Sequence, residues 1–162
     1  MIHGDAKYDD KANTFTDAQY LKLERARSFI FVRNNKRFER DFNEAWSQVR
    51  EMYQICQRLG VRFLVVLIPD ELQVNDQLQQ KVVNASRLGP ESFDFSLPNK
   101  MLVAKFRESA IDYIDLRGDF ASISKSMKLY KPNDSHWNLA GNRTASEIIA
   151  KHMGAAGQYV PQ

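Results

Sequence analysis

Cysteine and histidine are scarce in this chain of 162 residues. Cys56 is the one cysteine, so an internal disulfide and a cysteine-rich zinc module are both excluded. The histidines His3, His136 and His152 stand far apart in the sequence and form no recognised metal-binding motif. We therefore expect no bound metal and no cofactor.

Long apolar segments and a strong charge of one sign are also missing. The longest apolar run, residues 63–68, is far too short to cross a bilayer. The polar residues 1–10 form neither a signal peptide nor a transit peptide. Lys and Arg number 23 against 20 Asp and Glu, a net charge of +3 that is scattered along the chain. We therefore expect neither a membrane span nor a nucleic-acid partner.

Apolar spacing predicts two helices in the first third of the chain. Residues 18–34 are the first, and the second carries apolar residues at three- and four-residue steps from Phe42 to Leu59. Asp41 is the predicted cap of the second helix, and Gly60 follows its end. Cys56 falls on the apolar stripe, so we interpret it as a small core residue rather than a reactive thiol.

Two strands are evident, each preceded and followed by helical patterns. Residues 61–68 are a nearly continuous β-branched run, typical of a strand that is covered on both faces. Residues 110–116 form the second strand, after a helix that we expect Asn99 to cap. Further helices are predicted over 120–126 and 138–153, the last with Leu139, Ala145, Ile148 and Ile149 facing inward and Gly154 closing it. This alternation predicts a parallel sheet with helices on both faces.

The segment 130–138 has the highest density of side chains that can take part in catalysis. We expect it to lie beyond the carboxyl ends of the strands, where ligands of open parallel sheets usually bind. In Asp134-Ser135-His136, residues i and i+2 of an extended turn project to the same side. The carboxylate can then accept a hydrogen bond from Nδ1–H and leave Nε2 as a general base. The alternative is that Asp134 caps a helix and His136 is a solvated loop residue. Asn138 can cap the last helix.

The wider string Leu129-Tyr-Lys-Pro-Asn-Asp-Ser-His-Trp-Asn-Leu-Ala-Gly141 resembles the last conserved block of SGNH (GDSL-type) esterases. Residues 65–74 and 111–116 look like a strand with its loop and the next strand of that family, and the resemblance covers about residues 25–153. It implies a three-layer αβα fold with a parallel sheet, flavodoxin-like in its arrangement. It also implies that Asp134 is the acid and His136 the base of a Ser-His-Asp triad, acting on small-molecule or carbohydrate acyl esters without a cofactor.

The nucleophile of that family is not recognisable. Its members carry it in a Gly-Asp-Ser block after an N-terminal strand, whereas here the triplet at 4–6 is Gly-Asp-Ala and no such strand precedes it. No Gly-x-Ser-x-Gly elbow is present, and Ser28, Ser86 and Ser135 lie in no motif. We therefore interpret the chain as the C-terminal part of an SGNH-like protein, with a sheet incomplete at its N-terminus. An open sheet edge then predicts self-association.

We divide the chain into a polar segment (1–17), an SGNH-like α/β domain (18–154) and a tail (155–162). Three functions stay open for it. The first function is ester hydrolysis, or sugar O-acetyl transfer with the same residues, and the chain alone is expected to be inactive. The second is a non-catalytic α/β binding module. The third, a flavodoxin-type regulatory domain, is disfavoured because no Gly-rich loop follows the first strand. Location stays open, and a periplasmic or extracellular parent protein is compatible with the sequence.

Overall fold

Helices and strands alternate through residues 10–155, which are the residues that the computed structural model describes. The elements in chain order are α1 (Asp17–Arg27), α2 (Lys36–Arg58), β1 (Leu64–Leu67), α3 (Asp76–Asn84), α4 (Leu97–Glu108), β2 (Asp112–Asp115), α5 (Arg117–Ile123) and α6 (Leu139–Ala155). Short 3-10 turns follow α1 and β1 and precede α4. His3, the triplet at 4–6 and positions 156–162 lie outside the described residues.

The sheet of the described residues consists of β1 and β2, paired in parallel with Leu64 opposite Asp112 and Leu67 opposite Asp115. The predicted parallel pairing is confirmed. β1 is shorter than the predicted strand 61–68, because β2 offers only four residues for pairing. Val61 and Ile68 fall outside β1 and are exposed, so the prediction of complete coverage over that run was wrong.

Alternating side chains of β1 face two different helical layers. Leu64 and Val66 pack in the cluster that contains residues of α5 and α6, such as Phe120. Val65 and Leu67 pack in a second cluster with residues of α2 and α4, such as Phe106. Because successive side chains of a strand point to opposite faces, the sheet lies between these two layers. The predicted three-layer αβα architecture is confirmed.

A third apolar cluster joins α1 and α3 to the loop before α4. Its buried residues are Tyr20, Phe31, Leu72, Leu78, Val82 and Phe93. The first helix is shorter than the predicted 18–34, because the chain tightens into a 3-10 turn over Ser28–Phe31 and then pairs Val32 with Phe93. This turn places Phe31 in the cluster with only 1% of its surface exposed.

Helix α2 begins earlier than its apolar stripe. Asn35 caps it by accepting hydrogen bonds from the backbone N–H groups of Arg37 and Phe38, so the predicted cap Asp41 was wrong. Gly60 follows the helix at φ +65°, a left-handed conformation that favours glycine, as expected. Leu59 is exposed, and Cys56 is half-buried rather than fully buried, since α2 extends past the core at this end.

Three further boundaries also differ from prediction. Ser96 precedes α4, and Asn99 lies inside that helix, where it is buried and bonded to neighbouring loops. The helix predicted over 120–126 begins at Arg117. In α6, Ala145 is buried as predicted. Leu139 is exposed rather than facing inward, and Gly154 lies within the helix rather than closing it, so these two predictions were wrong. None of the helices in residues 10–155 has the combined length and apolar character needed to cross a membrane.

Candidate functional site

A closed hairpin presents residues 131–136. Tyr130 and Trp137 form an antiparallel bridge, and the N–H of Lys131 donates to the carbonyl of His136 at 3.0 Å. The buried Tyr130 hydroxyl donates to the carbonyl of Pro69 at 2.7 Å, just beyond the end of β1. Trp137 packs against Phe120, with ring centroids 4.9 Å apart. The hairpin is therefore anchored at the carboxyl end of β1, where the sequence places a site.

Asp134 and His136 are in direct contact within this hairpin. Oδ1 of Asp134 accepts the backbone N–H of His136 at 2.9 Å and lies 2.6 Å from Nδ1 of its ring. A carboxylate can only accept, so Nδ1 donates to it, and in the neutral form of the ring Nε2 keeps its lone pair. The Asp134 side chain is 7% exposed and the His136 side chain 83% exposed. The arrangement is a buried anion that orients an accessible imidazole.

The Asp134 carboxyl is held in its ionised form. Burial alone would raise its pKa, but hydrogen bonds from the Thr14 hydroxyl and from the backbone and ring of His136 lower the pKa to about 2. Thr14 donates to Oδ2 at 2.5 Å, and the ammonium of Lys131 lies 3.8 Å from the same oxygen. The carboxylate is therefore charged throughout the neutral range and can stabilise an imidazolium.

The start of α6 fixes the far side of the hairpin. The side chain of Asn138 accepts the N–H of Gly141 at 2.8 Å, which is the predicted cap, and donates to the carbonyls of Lys128 and Tyr130. Gly141 packs against the carbonyl of Leu129, and a β-carbon at position 141 would stand 2.2 Å from that oxygen. The Asn-x-x-Gly spacing is thus explained by a close approach between helix and hairpin.

A cluster of carboxyl groups lies between α1 and the loop after β1. Glu71 accepts from the Tyr20 hydroxyl at 2.6 Å, Glu24 is fully buried, and Arg27 pairs with both Glu24 and Asp70. Burial and the neighbouring Asp70 raise the pKa of Glu24 to about 7, and burial raises the pKa of Glu71. The charge of Asp134 contributes to the shift at Glu71, so the cluster and the hairpin interact electrostatically.

A polar groove of about 990 Å³ borders the hairpin. Residues from 71–79, 93–96 and 117–133 line it, together with Arg33. Its cationic side chains are Arg33, Arg117, Lys125, Lys128 and Lys131, and its acidic ones are Glu71, Asp76 and Asp94. Asp94 is bonded to Lys100 and Ser96, which lower its pKa to about 2 against the effect of burial. The groove lies at the upper end of the usual volume range of ligand sites, about 300–1,000 Å³.

No nucleophile stands beside the imidazole in the part of the chain that the structure describes. Within residues 10–155, the hydrogen bond of the His136 ring goes to Asp134, and no serine or threonine hydroxyl bonds to it. Ser28 donates to a carbonyl of α1, and Ser124 to the carbonyl of Val74. The same residues contain no group of His, Cys, Asp and Glu side chains arranged to hold a metal ion.

Sequence reasoning missed Thr14, Tyr130 and the carboxyl cluster. Thr14 lies in a segment without apolar periodicity, and its contact partner stands 120 positions later. A partial signal was available in Thr16 and Gln19, which have the spacing of a capping box and indeed cap α1. This pattern locates the start of α1 but contains no information on what the preceding residues touch.

A family model matches most of the chain. It is described as "SGNH hydrolase-like domain, acetyltransferase AlgX" and matches residues 29–161. Neither a curated protein nor a solved structure matches the chain significantly. The matched range includes both strands, the hairpin and α6.

Proposed function

The chain belongs to the family of SGNH hydrolase-like domains of the AlgX acetyltransferase type, and from this premise we propose that it supplies the acid–base pair of an acyl-transfer site. His136 is the general base and Asp134 the residue that orients and stabilises it. The observation that carries the proposal is the contact between Nδ1 of His136 and the buried carboxylate, which leaves Nε2 accessible.

The proposed reaction passes an acyl group through a serine ester. Nε2 of His136 removes the proton of the nucleophilic hydroxyl while its oxygen attacks the acyl carbon, and the same nitrogen returns the proton to the departing alcohol. A second hydroxyl, from water or from a sugar, then takes the acyl group by the reverse sequence. The ionised Asp134 stabilises the imidazolium that forms in each half. The serine that forms the ester is not identified among residues 10–155.

Transfer of the acyl group to a carbohydrate is our preferred form of this reaction, and ester hydrolysis is the alternative. The groove supports transfer, because Lys131, Pro132 and Asn133 of the hairpin line one end of it and its polar side chains can bind a sugar chain there. Its cationic side chains outnumber its acidic ones, which favours an acceptor that carries negative charge. Acidic and neutral oligosaccharides are therefore the acceptors to compare.

The test is carried out on the complete gene product and, separately, on this chain. With p-nitrophenyl acetate as donor, we expect acetyl transfer to an oligosaccharide to fall on the order of 10³-fold in His136→Ala and in Asp134→Asn. His152→Ala is the matched control, since this exposed histidine of α6 lies outside the site. Mass spectrometry of the acceptor separates transfer from hydrolysis. Transfer or hydrolysis that persists in His136→Ala, or a gene product without either activity, would contradict the proposal.

A second function, a non-catalytic binding module, is favoured because no hydroxyl group bonds to the His136 ring within residues 10–155. It predicts that the complete gene product binds the oligosaccharide but does not accelerate acyl transfer at all. For this chain alone, we expect p-nitrophenyl acetate hydrolysis no faster than in its His136→Ala variant. Faster turnover that depends on both His136 and Asp134 would reveal a nucleophile within the chain, and serine substitutions would then locate it.

A further inference from the structure

The segment 10–16, which precedes α1 and which we name the strap, lies across the hairpin. The N–H of Thr14 donates to the carbonyl of Pro132 at 3.3 Å, and Asn133 donates to the carbonyl of Phe15 at 3.1 Å. At the far end, Asp10 accepts the N–H of Leu139 at 2.9 Å. The strap therefore contacts the hairpin just before Asp134 and the first residue of α6 after it.

One contact of the strap reaches the acid of the proposed pair itself. The Thr14 hydroxyl donates to Oδ2 of Asp134 at 2.5 Å, while Oδ1 of the same carboxylate contacts Nδ1 of His136. We propose that Thr14 is a positioning residue that holds the Asp134 carboxylate in the orientation needed by His136. This inference rests on the proposed function, since it deepens the role given there to the pair.

The charges around Asp134 explain why a neutral donor suits this position. Lys131 lies 3.8 Å from Oδ2, the ring of His136 faces Oδ1, and Glu71 interacts with the carboxylate as a like charge. A carboxylate released from Thr14 can rotate towards the Lys131 ammonium and so weaken its contact with Nδ1. The Thr14 hydroxyl prevents this rotation without neutralising the charge that stabilises the imidazolium.

Thr14→Val removes the donor and keeps the shape of the side chain. Because Thr14 is exposed, the variant is expected to fold. The carboxyl of Asp134, followed by side-chain ¹³C NMR, is then expected to titrate about one pKa unit higher, because a buried anion has lost a hydrogen bond. The ¹⁵N shifts of His136 are expected to show a mixture of ring tautomers. Thr14→Ser retains the donor and is expected to restore both signals.

Thr16→Val is the matched control for a merely structural role. Thr16 lies in the same strap and caps α1 through Gln19, without contact to Asp134. We expect this variant to lower the stability of the chain and to leave the Asp134 titration and the His136 tautomer unchanged. An equal change in Thr14→Val and Thr16→Val would overturn the inference, and so would an unchanged Asp134 titration in Thr14→Val.

Activity of the complete gene product separates this inference from the proposed function. We expect Thr14→Val to lower kcat about tenfold at constant KM, and Thr14→Ser to restore it. If His136→Ala retains activity while Thr14→Val still shifts the Asp134 titration, the proposed function fails and the positioning contact stands. If His136→Ala is inactive and the Thr14→Val titration is unchanged, the proposed function stands and the inference fails.

Discussion

The backbone carbonyl oxygen of Leu129 lies 2.2 Å from the point where a β-carbon on Gly141 would stand. This approach joins the first turn of α6 to the base of the hairpin that carries Asp134 and His136. The Cβ of Trp137 is also close, at 3.0 Å, so a larger residue would have to displace the backbone of the hairpin. The glycine of the Asn-x-x-Gly string is therefore a packing requirement of the candidate site.

Gly141→Ala is expected to lower the free energy of unfolding by about 1–3 kcal/mol, because the added methyl group meets backbone that cannot simply rotate away. Gly118→Ala in α5 is the control, since nothing lies within 4 Å of its β-carbon position. This change is expected to raise stability by about 0.5–1 kcal/mol, as alanine is the better helix former. Urea unfolding measures both, and a neutral Gly141→Ala would contradict the close approach.

Glu24 is expected to make the chain less stable as the pH rises from about 4.5 to 7. Burial raises its pKa from 4.5 to about 7, so in this range the folded chain holds a proton that the unfolded chain has released. Stability is then fully present below pH 4.5 and is lost towards pH 7, by at most about 3 kcal/mol. The raised pKa of Glu71 likewise lowers stability as the pH rises. Asp134 and Asp94 have lowered pKa values, so they stabilise the fold above about pH 4.

Glu24→Gln is the variant that isolates this effect, because it keeps the size of the side chain and removes its titration. We expect it to exceed the unsubstituted chain in stability at pH 8 and to equal it near pH 4.5. Unfolding by urea at several pH values measures the difference. Parallel curves for the two proteins would show that Glu24 does not titrate differently in the folded chain.

The side chain of Asn99 joins the loop that follows β1 to the last residue of β2. It accepts from Gln73 at 2.7 Å and donates to Asp115 at 2.8 Å, and it is buried. Asn99→Ala is expected to cost about 1–3 kcal/mol, since it leaves buried polar groups without this partner. Asn84→Ala at the exposed end of α3 is the control and is expected to change stability by less than about 0.5 kcal/mol. Equal effects would contradict the role of Asn99.

Self-association is expected at high protein concentration. Within residues 10–155, β1 and β2 each pair along one side only, and an unpaired strand edge offers backbone groups to another chain. Size-exclusion chromatography with light scattering over a concentration series measures the mass in solution. A constant monomer mass over the whole series would contradict this prediction.

Local sequence patterns were sufficient to predict the two parallel strands and to single out Asp134 and His136 as site candidates. The run at 61–68 predicted a strand, Gly60 predicted the end of α2, and the family resemblance is confirmed by the match to residues 29–161. Asp134 and His136 stand two positions apart, so the local backbone brings their side chains within reach of each other. Their catalytic role stays a prediction, because within residues 10–155 no hydroxyl group bonds to the His136 ring.

The tertiary structure alone decided which distant residues hold this pair. Asn35 rather than Asp41 caps α2, although both are favoured cap residues. Asn99 lies inside α4, where its side chain bonds to Gln73 and Asp115 instead of capping the helix. Thr14 and Tyr130 reach partners 120 and 61 positions away. The sequence determined which side chains can bond, whereas such long-range contacts depend on how the layers close, and no local pattern encodes that distance.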